Sequence, residues 1–489
     1  MRFWTTIGLI LVLSAVGLTY EIAAGRVLAP FFGTSLLSWT AVIATVLAGF
    51  SLGNALGGLV AERPRPAALH AVRAALVGTA VLAALSPAML GLLYGWGARG
   101  TGGMIVSVVI AFFPASALVS LPSPLLARMA VEARPGREGS SLGLVLAAGS
   151  TGAIVGAIVA GFVALPLIGS AATFAACGAA ALLCVPFVRD GGAAGDRAAR
   201  RGSTAIALAA GLVVAASLAG GPVCRYESGL SCIDVVHRGG AAHLYSDRAW
   251  QAAERTGPDA PARELALPYT QWIWARMDRD LGPAASVLFV GGGGYTLPAK
   301  LLASRPGAQA VAVEIDPLVT EVVRSRLPWA GSVIEAEGYD AALTDSQDGG
   351  DAGRLGIVHA DGRVFLNETG RRFDAAVMDA FSSGSVPAHL VTLETYGRLR
   401  AIVDGPVYVN LIDRPDGALT RGVHAILRSL YPYVEAVRGP PSARGLSNVV
   451  LAAAPSALPP LGALPSGYGR VEVAAGRAFT DDRGWVGHR

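Results

Sequence analysis

The chain has 489 residues, of which 53% are hydrophobic and 15% charged, and its formal net charge is +4. This length accommodates two or three domains, and this hydrophobic content is unusual for a soluble protein, so a membrane protein is the first class to test. All but one of the 39 basic residues are Arg, and a small net charge over this length argues against a nucleic-acid partner. The four cysteines show no CxxC or Cys/His spacing typical of zinc, so no metal is expected.

The first half contains seven apolar stretches that could cross a membrane as helices, because a spanning helix needs about 20 mostly apolar residues. They cover approximately residues 3–24, 37–60, 73–95, 103–126, 141–163, 165–188 and 204–220. The first is too long, and is followed by too many others, to be a cleaved signal peptide. We therefore predict a multi-pass α-helical domain over residues 1–221, in the lipid bilayer of the cell (inner) membrane. In the fifth stretch, Gly152 and Gly156 form a GxxxG pattern that predicts close helix packing.

The loop arginines indicate the orientation, because Lys and Arg are retained on the cytoplasmic side. Three alternate loops carry most of them: Arg63, Arg65 and Arg73, then Arg128, Arg134 and Arg137, then Arg189, Arg197, Arg200 and Arg201. This pattern places the amino terminus inside and, with an odd number of spans, the residues after 221 outside, where a pairing of Cys224 with Cys232 would fit. Nucleoside cofactors are cytosolic, however, and one miscounted helix would reverse the result, so the side stays open.

Two charged residues, Glu21 and Arg26, lie near the end of the first stretch. Close to the interface they can extend toward water and pair with each other or with a loop. A charge at mid-bilayer costs about 2.5–3.5 kcal/mol, so the same residues are also candidates for a transport or ligand site. The sequence leaves both interpretations open.

After residue 221 the pattern changes to short strands and amphipathic helices. The stretch "CIDVVHRGGAAHLYSD" alternates apolar and polar residues on both sides of Gly239 and Gly240, which predicts a hairpin. Five short runs rich in branched residues follow: "SVLFVGGGG", "AVAVEIDP", "LGIVHAD", "FDAAVMDAF" and "GPVYVNLI". Helical stretches at 296–304 and 317–326 lie between the early ones, so we predict an open α/β, Rossmann-like domain with a ligand at the carboxyl ends of its parallel strands.

The stretch "VLFVGGGGYTLPAKLL" ends a predicted strand on four glycines: Gly291, Gly292, Gly293 and Gly294. Because glycine has no Cβ, a ligand can press against this backbone, and Pro298 suits the first turn of the next helix. Glu314 closes the second strand, 23 residues after Gly291, where an acidic residue takes ribose hydroxyls in nucleoside-binding folds. We predict nucleoside binding; the alternative is a tight turn with Glu314 as a solvated strand end.

Two further strand ends carry acids. Asp361, followed by Gly362 in "HADGR", could accept a hydrogen bond from the exocyclic amine of a base. Asp379 in "VMDAFSSG" would emerge from a buried strand, and burial raises the pKa of a carboxyl toward values useful for a general base. The alternative role for Asp379 is the N-cap of a helix.

Together, "GGGGYTLP", "VEIDP", "ADGRVFL", "FDAAVMDAFSSGSVPAHLVTLETY" and "FTDD" resemble the spermidine synthase (polyamine aminopropyltransferase) family. The chain is more similar still to its membrane-fused members, whose first helix reads like "YEIAAGRVLAPFFGTSLLSW", and the resemblance covers nearly the whole chain. It implies a small β-domain at 222–280 before a Rossmann-like (S-adenosylmethionine-methyltransferase-like) catalytic domain at 281–489. It also implies that Glu314 binds ribose, that Asp361, next to Gly362, contacts adenine, and that Asp379 takes the proton of the attacking amine.

The resemblance extends to residues outside the strand ends, and it also shows departures. The family's D-x-x-x-Q stretch corresponds to Asp247 and Gln251, on the cofactor side, and its substrate-side Tyr to Tyr269. The family's Asp that holds the donor's ammonium is replaced by Gly294. Its second Asp, three residues after the base and in contact with the polyamine, is replaced by Ser382. A buried ammonium without a carboxylate costs several kcal/mol, so acceptors other than putrescine stay open.

The favoured function is therefore a membrane-bound aminopropyltransferase that uses decarboxylated S-adenosylmethionine as co-substrate, a small-molecule amine as acceptor and no metal. One alternative is a methyltransferase that uses S-adenosylmethionine itself, because the nucleoside contacts are shared and Gly294 would leave room for a different donor tail. Another is a transporter or sensor whose α/β domain only binds a nucleoside or polyamine. A homodimer is compatible with the sequence.

Overall fold

The computed structural model describes residues 3–33, 36–189, 197–219, 221, 223–256, 264–341, 353–380, 387–442 and 445–483, with the backbone alone at 197–204. The chain divides into two compact units, Met1–Cys232 and Ile233–Arg489. Each unit has its own core and is treated separately below. The predicted site residue Ser382 lies outside the described residues.

The first unit is a bundle of long apolar helices. Its elements are α1 (Phe3–Phe32), α2 (Leu36–Ala61), α3 (Arg65–Gly95), α4 (Gly100–Ser120), α5 (Pro122–Glu132), α6 (Glu138–Ile158), α7 (Leu165–Cys184), α8 (Arg197–Ala219) and the short strand β1 (Tyr226–Glu227). Five segments of the described chain are long and apolar enough to cross a membrane: Phe3–Phe32, Leu36–Ala61, Arg65–Gly95, Gly100–Glu132 and Glu138–Phe187. The apolar part of α8, Ala205–Ala219, is shorter.

The difference between seven predicted stretches and five long segments has two causes, of which the first is a reversal inside the fifth segment. Gly169, with φ 74°, breaks the helix there. Before the break the chain runs parallel to α1; after it, α7 runs antiparallel, since Cys177 contacts Val16 and Phe174 packs on Tyr20. This segment therefore contains two predicted stretches joined by a tight turn. The second cause is the shortness of the apolar part of α8.

Small residues let the helices pack closely, as the GxxxG pattern predicts. A Cβ at Gly152 would overlap the backbone of Leu11, and one at Gly156 would overlap Ala15. The contacted residue of α1 advances from Leu11 to Ala15 as the glycine of α6 advances from Gly152 to Gly156, so α6 is parallel to α1. The backbone carbonyl of Gly156 also accepts a hydrogen bond from the Thr19 hydroxyl at 3.0 Å.

A second close helix contact, made by the glycines of "GFSLGNALG" in α2, was absent from the sequence prediction. A Cβ at Gly49, Gly53 or Gly57 would overlap atoms of α4 or of the residues directly after it. The contacted residues advance from Ser116 to Leu121 as the glycine number rises, so α2 and α4 are parallel. The spacing of four residues places all three glycines on one helix face, which is why the backbones can meet there.

The segment after α8 folds back on one end of the bundle. Cys224 and Cys232 form a disulfide that closes this segment. The Arg26 side chain, near the end of α1, is buried and donates from Nε to the Ser228 carbonyl at 3.0 Å. These contacts favour the interface interpretation of Arg26, in which the guanidinium binds a loop.

The second unit begins with a small antiparallel sheet of β2 (Cys232–Arg238), β3 (Ala241–Ser246) and β4 (Ala249–Arg255). The predicted hairpin is confirmed, because β2 and β3 pair across a turn at Gly239 and Gly240, both of which have positive φ. Helix α9 (Pro268–Asp280) then leads into the large sheet.

The large sheet contains nine strands of the described chain, with helices between its parallel strands. The elements are β5 (Ser286–Val290), α10 (Thr296–Ser304), β6 (Gln309–Glu314), α11 (Pro317–Arg326), α12 (Pro328–Glu337), β7 (Gly338–Asp340), β8 (Leu355–His359), α13 (Gly362–Glu368), β9 (Ala375–Met378), α14 (Leu393–Ile402), β10 (Val407–Asp413), α15 (Ala418–Leu430), β11 (Tyr433–Arg438), β12 (Ser447–Ala454) and β13 (Gly469–Arg470). The order across the sheet is β13-β11-β12-β10-β9-β5-β6-β8-β7.

This order agrees with the predicted open α/β fold. Strands β10, β9, β5, β6, β8 and β7 are parallel, while β11, β12 and β13 form an antiparallel edge next to β10. The chain extends from β5 toward β6 and β8 on one side, and later adds β9 and β10 on the other. In open α/β sheets ligands bind at such a switch point, outside the carboxyl ends of the strands.

Candidate functional site

The predicted site residues lie at the carboxyl ends of four adjacent strands. Asp379 directly follows β9, Gly291 follows β5, Glu314 ends β6, and Asp361 lies two residues after β8. These strands are neighbours in the order β9-β5-β6-β8. With about 4.8 Å between strands, this edge spans roughly 14 Å from Asp379 to Asp361. The structure therefore brings the three acids and the glycine turn together at the carboxyl ends of adjacent parallel strands.

Glu314 binds the glycine turn directly. Its Oε2 accepts hydrogen bonds from the backbone amides of Gly292 (3.0 Å) and Gly293 (3.2 Å), and its Oε1 accepts one from Asp316 at 3.0 Å. Burial raises the pKa of this carboxyl, and the three amide bonds oppose that effect. Glu314 is therefore not a solvated strand end, since it is 8% exposed and its carboxylate holds the turn in place.

The four glycines of the turn have different reasons to be glycine. At Gly291, with φ 101°, a Cβ would press on the backbone of Asp379, and at Gly292 it would meet the ring of Tyr295 at 2.8 Å. At Gly293, with φ 49°, nothing lies within 4 Å of the Cβ position. The sequence interpretation, in which the whole turn is bare for a ligand, is thus corrected: internal packing requires the first two glycines, and Gly293 faces open space.

Gly294 is closed by the small sheet. A Cβ at Gly294 would overlap the Cβ of Ala252 on β4. Ala252 therefore occupies the direction in which a side chain at position 294 would extend. Gln251, the neighbour of Ala252, is the extra residue of a β-bulge, where the register shifts between Leu244 and Tyr245. A bulge of this kind changes the direction of a side chain and is common beside active sites.

Tyr295 packs its ring against Gly292 of the turn. The sequence prediction missed this residue. It has the left-handed φ of 54°, is fully buried, and its hydroxyl lies 2.7 Å from the Thr320 hydroxyl. Thr320 in turn lies 3.0 Å from Nε2 of His359, at the end of β8. The signal that could have identified Tyr295 is a bulky residue directly after a run of glycines.

Asp379 is held by side chains from two other elements. Its Oδ2 accepts a hydrogen bond from the Tyr269 hydroxyl of α9 at 3.0 Å, and its Oδ1 accepts one from Nδ2 of Asn410 on β10 at 2.8 Å. Burial raises the pKa of this carboxyl to about 6, although both hydrogen bonds act in the opposite direction. Burial also raises the pKa of Tyr269 well above its usual value, with the Asp379 charge adding to the effect.

This geometry has a chemical consequence. A carboxyl with a pKa of about 6 is ionised at neutral pH and is still basic enough to take a proton from an amine that loses it during reaction. Both carboxyl oxygens accept hydrogen bonds from side chains of other elements, and the amides that a helix cap would bond, at positions 381 and 382, lie outside the described residues. The sequence prediction included Tyr269 but missed Asn410, because a single polar residue inside the strand "VYVNLID" carries no motif.

Asp361 has a structural role that the sequence did not predict. Its Oδ1 caps α13, accepting from the amides of Arg363 (2.8 Å) and Val364 (3.2 Å), and its Oδ2 lies 2.9 Å from Nε2 of His389. Burial acts against ionisation, but the amide and His389 contacts hold the pKa of this carboxyl below its usual value. Arg363 pairs with Asp481 of the "FTDD" stretch, which anchors that stretch beside α13.

The neighbouring Gly362 allows the start of α13 to approach the end of β5. A Cβ at Gly362 would come within 2.6 Å of a Val290 methyl group and within 3.4 Å of Leu390.

Across the described ranges, no group of three or more His, Cys, Asp or Glu side chains is placed to hold a metal ion.

Comparison with known proteins finds two polyamine aminopropyltransferases among the chain's relatives. The chain is 26% identical to polyamine aminopropyltransferase 2 of Streptomyces coelicolor over 458 aligned residues, covering 87% of this chain and 74% of that protein. It is 24% identical to polyamine aminopropyltransferase 1 of the same organism, covering 81% and 73%. No family model matches the chain. A match of 87% exceeds the share that residues 233–489 supply, so the similarity also includes part of the helical unit.

Solved structures with similarity to part of the chain include a probable spermidine synthase from Corynebacterium glutamicum. It has a TM-score of 0.43 and 16% identity over 53% of this chain and 97% of that one. Human methyltransferase-like protein 13 in complex with SAH has a TM-score of 0.30 and 23% identity over 41% and 86%. The two Streptomyces relatives confirm the resemblance recognised in the motifs: the chain is spermidine synthase-like.

Proposed function

We propose that this spermidine synthase-like chain is a transferase that moves an aminopropyl group from a decarboxylated S-adenosylmethionine-type donor to an amine acceptor, with Asp379 as general base. The observation that carries the proposal is the Asp379 carboxyl, which lies beside the glycine turn between Tyr269 and Asn410. Its pKa of about 6 suits a base that works near neutral pH. Similarity to two polyamine aminopropyltransferases supports the reaction class.

The chain's part in the reaction is to hold the two reactants in line and to remove a proton. The donor supplies an electrophilic carbon next to a sulfonium, whose sulfur leaves with the C–S bonding pair as a neutral thioether. As the amine nitrogen forms its bond to that carbon, the Asp379 carboxylate takes the proton that the nitrogen loses. Tyr269 and Asn410 keep the carboxylate fixed, so it need not reorganise during the transfer.

We assign nucleoside binding to the strand ends next to Asp379. Glu314 accepts three amide hydrogen bonds, and a carboxylate has about four acceptor positions, which leaves capacity for a ribose hydroxyl. Open space above Gly293 allows close approach to the backbone. Asp361 would contact the base edge through Oδ2, the oxygen that His389 now reaches. The remaining members of the proposed nucleoside site are Gly291, Gly292, Gly294, Gly362 and Gln251.

The acceptor side follows from the same geometry. Tyr269 reaches the base from α9, so it would lie next to the attacking amine. On the donor side, Gly294 stands in place of the family's Asp that holds the donor's ammonium, and Ala252 blocks any side chain there. With Ser382 in the second Asp position, we expect an amine acceptor other than putrescine.

We further propose that residues 1–221 form a membrane domain and that the chain leaves it on the side opposite the amino terminus. The parallel pairs α1–α6 and α2–α4 and the reversal at Gly169 support helices that alternate in direction. If α8 also crosses the membrane, the chain makes seven crossings. The arginine-rich loops favour a cytoplasmic amino terminus, so the residues after 221 would be outside, where the Cys224–Cys232 disulfide is stable.

The function is tested by incubating the purified full chain with decarboxylated S-adenosylmethionine or S-adenosylmethionine and a panel of amines. Release of methylthioadenosine with an aminopropylated amine is the expected result. Release of S-adenosylhomocysteine would replace the proposal with a methyltransferase, and binding without turnover would replace it with a sensor or transporter. Asp379→Asn serves as the control for background reaction.

The side of the membrane is tested separately. A reporter enzyme that is active on only one side of the membrane is attached after Arg489, and a matched fusion replaces residues after 189. We expect the two fusions to report opposite sides, with the first outside. Equal signals would contradict the proposed crossing by α8.

A further inference from the structure

Two asparagines, the buried Asn410 and the half-buried Asn448, are linked by hydrogen bonds to Asp379. Nδ2 of Asn410 donates to Oδ1 of Asp379 at 2.8 Å, and Nδ2 of Asn448 donates to Oδ1 of Asn410 at 3.0 Å. Asn410 lies on β10 opposite Val450 of the antiparallel β12, so Asn448 is its diagonal neighbour on the same face. Together the three side chains form a line that ends at the carboxyl.

The two asparagines are polar positions in largely apolar strands, in addition to Asp413 and Ser447 at the strand ends. Strand β10 reads "VYVNLID" and β12 reads "SNVVLAAA", and Asn410 is only 3% exposed. Burying an amide is unfavourable unless its hydrogen bonds are made. Here both Nδ2 and Oδ1 of Asn410 are hydrogen-bonded. Asn410 lies near the carboxyl end of β10, at the same end of the sheet as the proposed site. An apolar pair would satisfy the packing, so packing alone does not account for the amides.

The order of donors in this line is determined by the carboxylate. An ionised carboxylate only accepts, so Asn410 must present its NH₂ group to Asp379. The Asn410 carbonyl then faces Asn448, which must donate. A 180° flip of the Asn410 amide would place its oxygen against the carboxylate oxygen and break both bonds. Asn448 therefore adds a second bond that opposes this flip, and it makes that bond to Asn410 rather than to Asp379.

The hydrogen-bonded line of Asn448, Asn410 and Asp379 also affects the pKa of the Asp379 carboxyl. The hydrogen bond from Asn410 lowers the pKa of Asp379 against the larger effect of burial. Hydrogen bonds in a chain polarise one another, so a donor to Asn410 strengthens the bond that Asn410 makes. The other titratable group that bonds Asp379 is Tyr269, with Tyr468 near it. Burial raises the pKa of both phenols far from neutrality, Tyr468 to about 12, so neither titrates with Asp379.

We propose that Asn448 and Asn410 are positioning residues for the base: Asn448 fixes the amide orientation of Asn410, and Asn410 fixes the carboxylate of Asp379. The inference rests on the proposed function only in what Asp379 is used for. The hydrogen-bonded line itself is a property of the strands, so it can be tested with and without turnover.

The kinetic test is a double-mutant cycle on the pH profile of kcat/KM. The wild type should lose activity below a midpoint of about pH 6. Asn410→Ala should move this midpoint upward by about one pH unit, since it removes a hydrogen bond to a charge, and Asn448→Ala by about half a unit. The double variant should match Asn410→Ala alone, because Asn448 acts only through Asn410. KM for the donor should change less than about twofold in Asn448→Ala.

A control variant separates positioning from general disturbance of the strand. Ser447 is buried next to Asn448 on β12, and its hydroxyl bonds the Asp413 carbonyl rather than the line. Ser447→Ala should leave the pH midpoint unchanged. If Asn448→Ala also leaves it unchanged, or if the Asn410 and Asn448 effects add, the positioning role is refuted.

A second measurement does not need turnover. Infrared difference spectra during a pH titration follow the carboxyl stretch of Asp379, with Asp379→Asn as the blank. We expect a midpoint near 6 in the wild type and a higher one in Asn448→Ala. Equal midpoints would overturn the inference. Absence of turnover with every donor, together with a shifted midpoint, would instead refute the proposed function and leave the line intact.

Discussion

Replacing Asp379 with Asn tests the proposed base at its own position. The substitution keeps the size of the side chain and most of its hydrogen-bonding capacity toward Tyr269 and Asn410, but it removes the ability to take a proton. Loss of a general base reduces kcat by about 10²–10⁴-fold. Because Gly291 of the proposed nucleoside site faces the backbone of Asp379 and the substitution changes only the carboxyl group, donor affinity should stay within about threefold.

The wild-type pH dependence has a magnitude that follows from the site. The pKa of Asp379 is raised from 3.8 to about 6, so the carboxylate is lost as the pH falls through 6. About nine-tenths of the molecules are ionised at pH 7 and about one-tenth at pH 5, so kcat/KM should fall about tenfold between pH 7 and pH 5. Measurements from pH 5 to 8 with saturating donor are sufficient.

The same pKa predicts an opposite effect on stability. An acid whose pKa is higher in the folded state than in the unfolded state binds more protons when folded, so its ionisation destabilises the fold as the pH rises from about 4 to 6. A shift from 3.8 to about 6 corresponds to about 3 kcal/mol at pH 7. Asp379→Asn should remove part of this cost, and its thermal unfolding in detergent should occur at the same or a higher temperature than in the wild type.

These two results together identify the role of Asp379. A variant that is inactive but at least as stable has lost chemistry rather than structure. If Asp379→Asn keeps wild-type turnover, or if kcat/KM shows no acidic limb near pH 6, the assignment of the base is wrong. A variant that is both inactive and unstable would show instead that Asp379 is structural.

Three further predictions concern other parts of the chain. Glu314→Ala should weaken binding of methylthioadenosine by about 1–3 kcal/mol in calorimetry, because a charged hydrogen-bond partner is lost, and equal affinity would place the ribose elsewhere. Gly294→Ala should destabilise the fold by about 1–3 kcal/mol through overpacking, and Ala252→Gly in the same chain should restore the unfolding temperature; an additive loss would exclude direct contact. Serine at both Cys224 and Cys232 should cost about 2–3 kcal/mol of stability and remove any effect of reductant on unfolding, whereas a wild type that ignores reductant would contradict a closed disulfide.

Much of the architecture could be predicted because its signals are local. Apolar length indicates helices, branched runs separated by helical periodicity indicate a parallel sheet, and glycines followed by an acid one strand later indicate a nucleoside turn. The helical stretches 296–304 and 317–326 coincide with α10 and α11. Each of these features depends on residues within about 25 positions of one another, so the linear chain already contains it.

The details of the site depend on contacts between distant segments. Asn410 lies 31 residues after the carboxyl it bonds, and Asn448 follows 38 residues later. Gly294 is closed by Ala252 of a different sheet. Neither pairing leaves a periodic trace in the sequence, because it is created only when strands lie side by side.

The sequence by itself determined which residue types stand at the strand ends, and hence that acids meet a glycine turn. Only the tertiary structure decided what each one does there: Glu314 holds the turn, Asp361 caps a helix, and Asp379 lies enclosed between a hydroxyl and an amide. The physical reason is that a carboxyl's charge, pKa and orientation are set by the partners that surround it in space. Those partners come from strands and helices that meet only in the folded chain.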